Sequence, residues 1–146
     1  MAEWFTKQDS RHDPGRRQRV AGARGADLHY ARLGQKDSAA LASLIAFHAQ
    51  QAVEKALKSV LVRRDMEFPK THDLEELVEL VKGGGVVWPD AFNKVLEFTP
   101  FATHARYPGF DDPTTQADVD EAISLADQVV AWARQEVAAG ERNSVE

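Results

Sequence analysis

Three polar side chains fall on one face of a long apolar helix predicted in the middle of the chain. His48, Gln51 and Lys55 are spaced three and four residues apart, which makes them neighbours on an α-helix. An imidazole, an amide and an ammonium group together could hold a phosphate or the edge of a base. The alternative is that all three are buried hydrogen-bonding groups that fix helix packing or a dimer interface.

Arg106 and Tyr107 form a second candidate binding site, at the end of a short helical segment. A guanidinium can bind phosphate through two parallel hydrogen bonds, and a tyrosine ring can stack on a base. His104, two residues before Arg106, could complete a His/Arg phosphate site. The alternatives are an ion pair between Arg106 and a carboxylate of the following loop or a helix, and a surface position for His104.

The other ionisable residues favour structural roles, and no residue is assigned a catalytic one. His72 and Asp73 lie in a predicted first helical turn, where capping and the helix dipole explain them better than catalysis. The five histidines show no spacing such as His-x-x-x-His, so we expect no metal site and no cofactor. Because the chain has no cysteine, disulfides and thiol catalysis are excluded.

The composition is that of one soluble domain: 146 residues, 43% hydrophobic and 28% charged. Residues 1–36 carry 8 Lys/Arg against 4 Asp/Glu, whereas residues 37–146 carry 10 against 19. An acidic body argues against a broad phosphate-binding surface. No apolar run approaches the roughly 20 residues of a membrane span. The N-terminus lacks the apolar stretch of a secretory signal, so we expect a cytoplasmic protein without membrane association.

Helical spacing of apolar residues predicts an all-α fold, an up-down bundle of four to five helices. A flexible polar segment is expected over 1–15, the helical domain over 16–140 and a polar tail over 141–146. The first helix is expected from about Arg16, with Gly34 just past its end. The core stripe of the second helix is predicted to contain Leu41, Leu44, Ile45, Ala49, Ala52, Val53, Ala56, Leu57, Val60 and Leu61.

The remaining boundaries are predicted from capping residues and breakers. Thr71 is expected to cap the third helix, which the glycines at 83–85 end. Pro89 begins a fourth α-helix. Thr99 is expected to cap a short segment after it, which runs from Pro100 to Arg106 and is stopped by Pro108 and Gly109. Thr114 or Thr115 caps the last helix, which is expected to end at Gly140.

Three segments of the sequence resemble the HEPN domain family: FHAQQAVEKALK over residues 47–58, THDLEEL over 71–77 and ARYP over 105–108. They occur in the order and with the helix spacing of that family, and the resemblance extends from about Ala23 to Val137. It implies a helical bundle that pairs as a homodimer. It also implies a small prokaryotic protein, often encoded beside a minimal nucleotidyltransferase.

The resemblance implies that many relatives are RNA-cutting toxins of toxin–antitoxin pairs. In them an Arg stabilises charge on the phosphate and a His about four to six residues later acts as general base. Here no His follows Arg106, and the one literal match, Arg24 to His29, lies in the first helix. About one such match is expected by chance in a chain of this composition.

The sequence therefore predicts a HEPN-like module that binds nucleotide or RNA without cutting it and acts with a nucleotidyltransferase partner. One alternative is a diverged, metal-independent endoribonuclease toxin, and another is a noncatalytic helical adaptor dimer. A homodimer is also favoured by the small residues of the second helix, which allow another helix to approach closely. These residues are Ala42, Ala46, Ala49, Ala52 and Ala56.

Overall fold

The structure is a computed structural model that describes residues 26–36, 42–98 and 115–143. Helix α1 covers 26–35, α2 Ala42–Arg63, α3 Leu74–Gly83 and α4 Gln116–Asn143, with a 3₁₀ helix over Asp90–Phe98 between α3 and α4. Every regular element in these ranges is helical, which confirms the predicted all-α class. None of these helices is long and apolar enough to cross a membrane.

Contacts at the helix ends give the directions of α1, α2 and α4. Gln35 Nε2 donates to Asp120 Oδ1 at 2.8 Å, so the end of α1 lies beside the start of α4 and the two helices are antiparallel. At the other end of α4, a Cβ on Gly140 would lie 3.2 Å from Cγ of Arg63, the last residue of α2. Helices α2 and α4 therefore run in the same direction, as in an up-down bundle.

Helix α2 is the centre of the core and packs most extensively on α4. Its alanines at 46, 49, 52 and 56 are fully buried within the single chain, so they serve close packing inside the protomer. The predicted stripe is buried from Ile45 to Leu61, but Leu44 is exposed. At 100° per residue, Leu44 points about 150° away from the centre of that stripe. Leu41 lies outside the described residues.

Two predicted helix ends are wrong by about two residues. Helix α1 continues through Gly34 to residue 35, so Gly34 is not its C′ residue. Helix α3 is capped by Asp73, whose Oδ1 accepts a hydrogen bond from Glu75 N at 3.0 Å. Thr71 lies two residues too early for that role, and its Oγ1 instead accepts from Asp73 N at 3.0 Å.

The glycine run ends α3 as predicted. Gly85 has a φ of 82°, which glycine adopts without steric cost, and Val86 N donates to Val81 O at 3.3 Å. Thr115 caps α4 in a reciprocal pair with Asp118, with backbone-to-side-chain distances of 2.9 and 3.1 Å. Helix α4 runs through Gly140 to Asn143 rather than ending at the glycine.

The fourth predicted α-helix is a 3₁₀ helix. Phe92 and Val95, its two buried side chains, are three residues apart, which is one turn of a 3₁₀ helix. Trp88 precedes this helix and donates from Nε1 to Asn93 Oδ1 at 3.0 Å. Its ring meets Trp132 of α4 edge to face, with centroids 5.2 Å apart, and this contact fixes the 3₁₀ helix on α4.

The boundaries proposed for the domain remain predictions. The segment 1–15 and the short helical segment over 100–106 lie outside the described residues, as do the last three residues of the tail.

Candidate functional site

A buried carboxylate of α1 brings together two of the three polar residues singled out on α2. Asp27 has 12% of its side chain exposed. Its Oδ2 lies 2.5 Å from Lys55 Nζ, and its Oδ1 lies 3.2 Å from His48 Nδ1. His48 and Lys55 are seven residues apart, which is about two helical turns, so both project from the same side of α2. We call Asp27, His48 and Lys55 the Asp27 cluster.

The position of Asp27 follows from the packing of α1. Asp27 lies beside Leu28 and four residues before Ala31, both of which are buried against the core. A carboxylate on that inner face must be paired, because an isolated buried charge is costly. The carboxylate also orients the imidazole, because it accepts from Nδ1 of His48; Nε2 then donates when the ring is protonated and accepts when it is neutral.

Aromatic rings surround His48 at the surface. The Tyr30 and His48 ring centroids are 5.9 Å apart, and the Phe47 ring is at the same distance from His48. His29 extends the row, 6.0 Å from Tyr30. Tyr30 is 58% exposed. A water-exposed tyrosine ring beside a histidine is a surface on which a base can stack.

A second cluster with the same three groups lies further along α2. Glu54 has only 4% of its side chain exposed; its Oε2 lies 3.1 Å from Lys58 Nζ and its Oε1 2.8 Å from His72 Nδ1. Gln50 Nε2 donates to the backbone carbonyl of His72 at 3.4 Å. These bonds hold the loop before α3 against α2. We call Glu54, Lys58 and His72 the Glu54 cluster.

Gln51, the third predicted residue on α2, contacts neither carboxylate. Its Nε2 donates to Gln50 Oε1 at 3.0 Å, so it lies between the two clusters. The other predicted ligand residues, Arg106, Tyr107 and His104, lie outside the described residues. The ligand-binding role of all six residues therefore stays a prediction.

A family model described as the HEPN domain matches residues 26–136, which is most of the chain. The chain belongs to the HEPN family. The crystal structure of an archaeal HEPN homologue is similar to this HEPN chain with a TM-score of 0.63 and 23% sequence identity. The match covers 83% of this chain and 97% of the archaeal one, and at that identity it shows the fold alone. No curated protein matches the sequence.

Both clusters of this HEPN chain lie within the matched range, and four of their six residues fall on the segment 47–58: His48, Glu54, Lys55 and Lys58. Neither resembles a metal centre: in the described parts of the chain, no three His, Asp or Glu side chains are grouped to hold an ion. Elsewhere, hydrogen bonds from Gln35 and Gln116 lower the pKa of the exposed Asp120. The hydrogen bond and charge of Glu121 raise the pKa of Lys94.

Sequence reasoning missed the groups that organise the site. The role of Asp27 could have been predicted from the sequence, because it occupies a position in the apolar spacing of the first helix, where a buried acid needs a partner. The Glu54–Lys58 pair was visible as an i,i+4 pair, but the contact of Glu54 with His72 was not. Tyr30 left no signal, since nothing in the spacing places it beside His48.

Proposed function

We propose that this HEPN chain binds a nucleotide or RNA without cutting it and acts with a nucleotidyltransferase partner. The observation that carries the proposal is the setting of His48: it is held on Asp27, beside Lys55, next to the exposed ring of Tyr30. A base would stack on Tyr30 while Lys55 and the protonated ring of His48, which donates from Nε2, bind the phosphate.

Asp27 supports this function by positioning the donors. Oδ1 of Asp27 contacts the His48 ring and Oδ2 contacts the Lys55 ammonium, so His48 and Lys55 hold their relative positions before a ligand arrives. Preorganised groups lose less conformational entropy on binding. The same bonds also attach α1 to α2, and a structural and a binding role are compatible in one cluster.

The binding role is tested with variants that should leave the fold intact. We expect Tyr30→Ala to weaken binding of a labelled single-stranded RNA by about tenfold, since stacking contributes about 1–3 kcal/mol per base. Fluorescence polarisation and calorimetry with a nucleotide panel measure this. Leu33→Ala is the matched control, because Leu33 lies one turn along α1 and is similarly exposed. If the wild type binds neither the RNA nor any nucleotide of the panel, the noncatalytic adaptor dimer becomes the favoured function.

The absence of cutting rests on the sequence, in which no His follows Arg106. The Asp27–His48 pair favours a second candidate, a diverged metal-independent endoribonuclease, because a carboxylate-oriented imidazole can serve as a general base. We expect no cleavage when the protein is incubated with unstructured RNA and EDTA. Cleavage that disappears in His48→Ala would establish the toxin function instead.

Arg106, Tyr107 and His104 are proposed to contribute to the same ligand. Loss of a bidentate charged contact in Arg106→Ala should cost about 1.5–3 kcal/mol of binding free energy, with little change in thermal stability. Tyr107→Phe should have a smaller effect if the ring stacks. A lower melting temperature of Arg106→Ala without a loss of affinity would indicate an ion pair with a loop or helix carboxylate.

The assembly state is proposed from the family. Light scattering should give twice the chain mass of 16.2 kDa at micromolar concentration. The partner is tested by asking whether a neighbouring gene encodes a minimal nucleotidyltransferase and whether the two proteins co-elute after co-expression. A monomer in light scattering would remove the homodimer.

A further inference from the structure

We infer that the outer edges of α1 and α2 form a docking surface for an acidic amphipathic helix of a partner protein. The surface consists of Tyr30, Leu33, Leu44 and Phe47, and we call it the Leu33 patch. The inference rests on the proposed function in one respect, namely that the chain acts with a protein partner. It adds the surface that the partner contacts and the kind of segment that binds there.

The exposed large apolar side chains of the described residues are concentrated in one place. There are four of them, Tyr30, Leu33, Leu44 and Val87, and the first three lie in the Leu33 patch. Leu33 is 54% and Leu44 45% exposed, and the half-buried ring of Phe47 adds to the same surface. Single exposed apolar residues are ordinary, whereas a group of them is typical of a protein-binding surface.

The directions of α1 and α2 place the members of the patch side by side. The two helices are antiparallel, since α1 is antiparallel to α4 and α2 runs in the same direction as α4. Tyr30 meets His48 with ring centroids 5.9 Å apart. Leu33 lies one turn further along α1 and Leu44 one turn back along α2, so the two leucines are next to each other along the seam. On α2, Leu44, Phe47 and His48 project within about 100° of one another.

The charge of the chain is divided between two sides. Residues 26–36 and α2 together carry five Lys/Arg against two Asp/Glu, whereas α3, the 3₁₀ helix and α4 carry four against eleven. The Leu33 patch lies on the cationic side, and the exposed Lys36 follows Leu33 by one turn. Because charges across an interface are complementary, a segment that covers the patch is expected to be acidic around its apolar residues.

A second copy of the chain does not fit the patch. In a two-fold contact the same surface meets itself, so the cationic side of one chain would face the cationic side of the other. In a head-to-tail contact the patch would meet a different surface. Outside the patch, however, the described residues present only Val87 as an exposed large apolar side chain. One valine cannot cover four apolar side chains, so the occupant is a segment of another protein.

The shape of the surface favours a helix as the occupant. In the described ranges the chain has no β-strand whose edge an extended segment could join. Two neighbouring helices instead leave a groove along their seam. Apolar side chains at positions i, i+3, i+4 and i+7 of an amphipathic helix insert into such a groove.

The experiment measures the binding of two fluorescein-labelled helical peptides of about 18 residues by fluorescence polarisation. Both carry leucine at the spacing i, i+3, i+4 and i+7, and the other positions are glutamate in one peptide and lysine in the other. We expect the glutamate peptide to bind the wild type about tenfold or more tightly than the lysine peptide. Leu33→Ala and Leu44→Ala should each weaken the glutamate peptide about tenfold, because each loses the burial of a leucine side chain. Val87→Ala is the matched control, since Val87 is exposed but lies outside the patch.

The contribution of charge is measured over a series of salt concentrations. Lys36→Ala should reduce the salt dependence of glutamate-peptide binding, whereas Lys82→Ala, at an exposed lysine of the acidic α3, should not. Equal affinity of the wild type for the two peptides would overturn the inference. Wild-type affinity of both Leu33→Ala and Leu44→Ala for the glutamate peptide would also overturn it. A dimer that either variant converts to a monomer in light scattering would mean that a second copy covers the patch.

RNA binding separates failure of the inference from failure of the proposed function. Leu33 and Leu44 lie beyond the contacts of the Asp27 cluster, so their alanine variants should bind the labelled RNA like the wild type. If the wild type binds RNA but not the glutamate peptide, the docking surface is wrong and RNA binding stands. If it binds the glutamate peptide but not RNA, the docking surface stands and the nucleotide-binding part of the proposed function is wrong.

Discussion

The Asp27 and Glu54 clusters contain the same three chemical groups but join different parts of the chain. Asp27 on α1 reaches residues 21 and 28 positions away, and both of its partners lie on α2. Glu54 takes one partner four residues away on its own helix and a second 18 residues away, in the loop before α3. Both contacts of Asp27 join two different helices, whereas one of the two contacts of Glu54 lies within a single helix.

This difference decides how much structure depends on each carboxylate. The Asp27 cluster exists only when α1 is docked on α2, so its three groups stabilise the attachment of a whole helix. The Glu54–Lys58 bond forms within α2 and survives any movement of the loop. Two clusters of equal composition should therefore contribute unequally to stability, and the contrast can be measured.

The largest effect is expected for Asp27→Ala. Removal of the carboxylate leaves Lys55 and His48 without the partner that they share, and α1 loses its bonds to α2. Hydrogen bonds to charged groups are worth about 1.5–3 kcal/mol each, but the Lys55 ammonium and the His48 ring regain hydration when the carboxylate is removed. We therefore expect the free energy of unfolding to fall by about 2–3 kcal/mol. Urea unfolding followed by circular dichroism measures it.

A matched variant separates charge from hydrogen bonding at this position. Asp27→Asn keeps the shape and one acceptor oxygen, and it should cost less than Asp27→Ala. Equal losses for the two variants would mean that the charge and the second acceptor oxygen together account for the whole contribution of Asp27. No loss in either would contradict the view that this cluster attaches α1.

A smaller effect is expected for Glu54→Ala. Both partners of Glu54 can turn to water when the carboxylate is removed, because His72 is mostly exposed and Lys58 has a long flexible side chain. We expect a loss of about 1–2 kcal/mol in the same urea experiment. A larger loss than that of Asp27→Ala would reverse the ranking of the two clusters.

Most of the fold could be predicted from the sequence because helical spacing and capping are local. The stripe from Ile45 to Leu61, the glycine end of α3 and the Thr115 cap all depend on residues within a few positions of each other. The 3₁₀ geometry of Asp90–Phe98 depends on residues that are close in space but distant in the chain. Trp88 and Trp132, for instance, meet across 44 positions of the chain.

The site could be predicted only in part, for the same physical reason. His48, Gln51 and Lys55 were found because one helix presents them together. Their organising carboxylate and the stacking ring of Tyr30 come from α1, and no periodicity within α2 reports on them. An acid in an apolar stripe is the one local signal of such a site, because burial obliges it to find a partner.

The smallest expected effect concerns the link between the clusters. Among the residues that the structure describes, the two clusters share no hydrogen-bonded partner, and Gln50, which accepts from Gln51, donates to the backbone carbonyl of His72. We expect a double-mutant cycle of Asp27→Asn and Glu54→Gln to give an interaction energy below about 0.5 kcal/mol, as for independent sites. Chemical unfolding of the wild type, both single variants and the double variant supplies the four values. An interaction above about 1 kcal/mol would mean that α2 carries one coupled network, because Gln50 and Gln51 then transmit the loss of one carboxylate to the other.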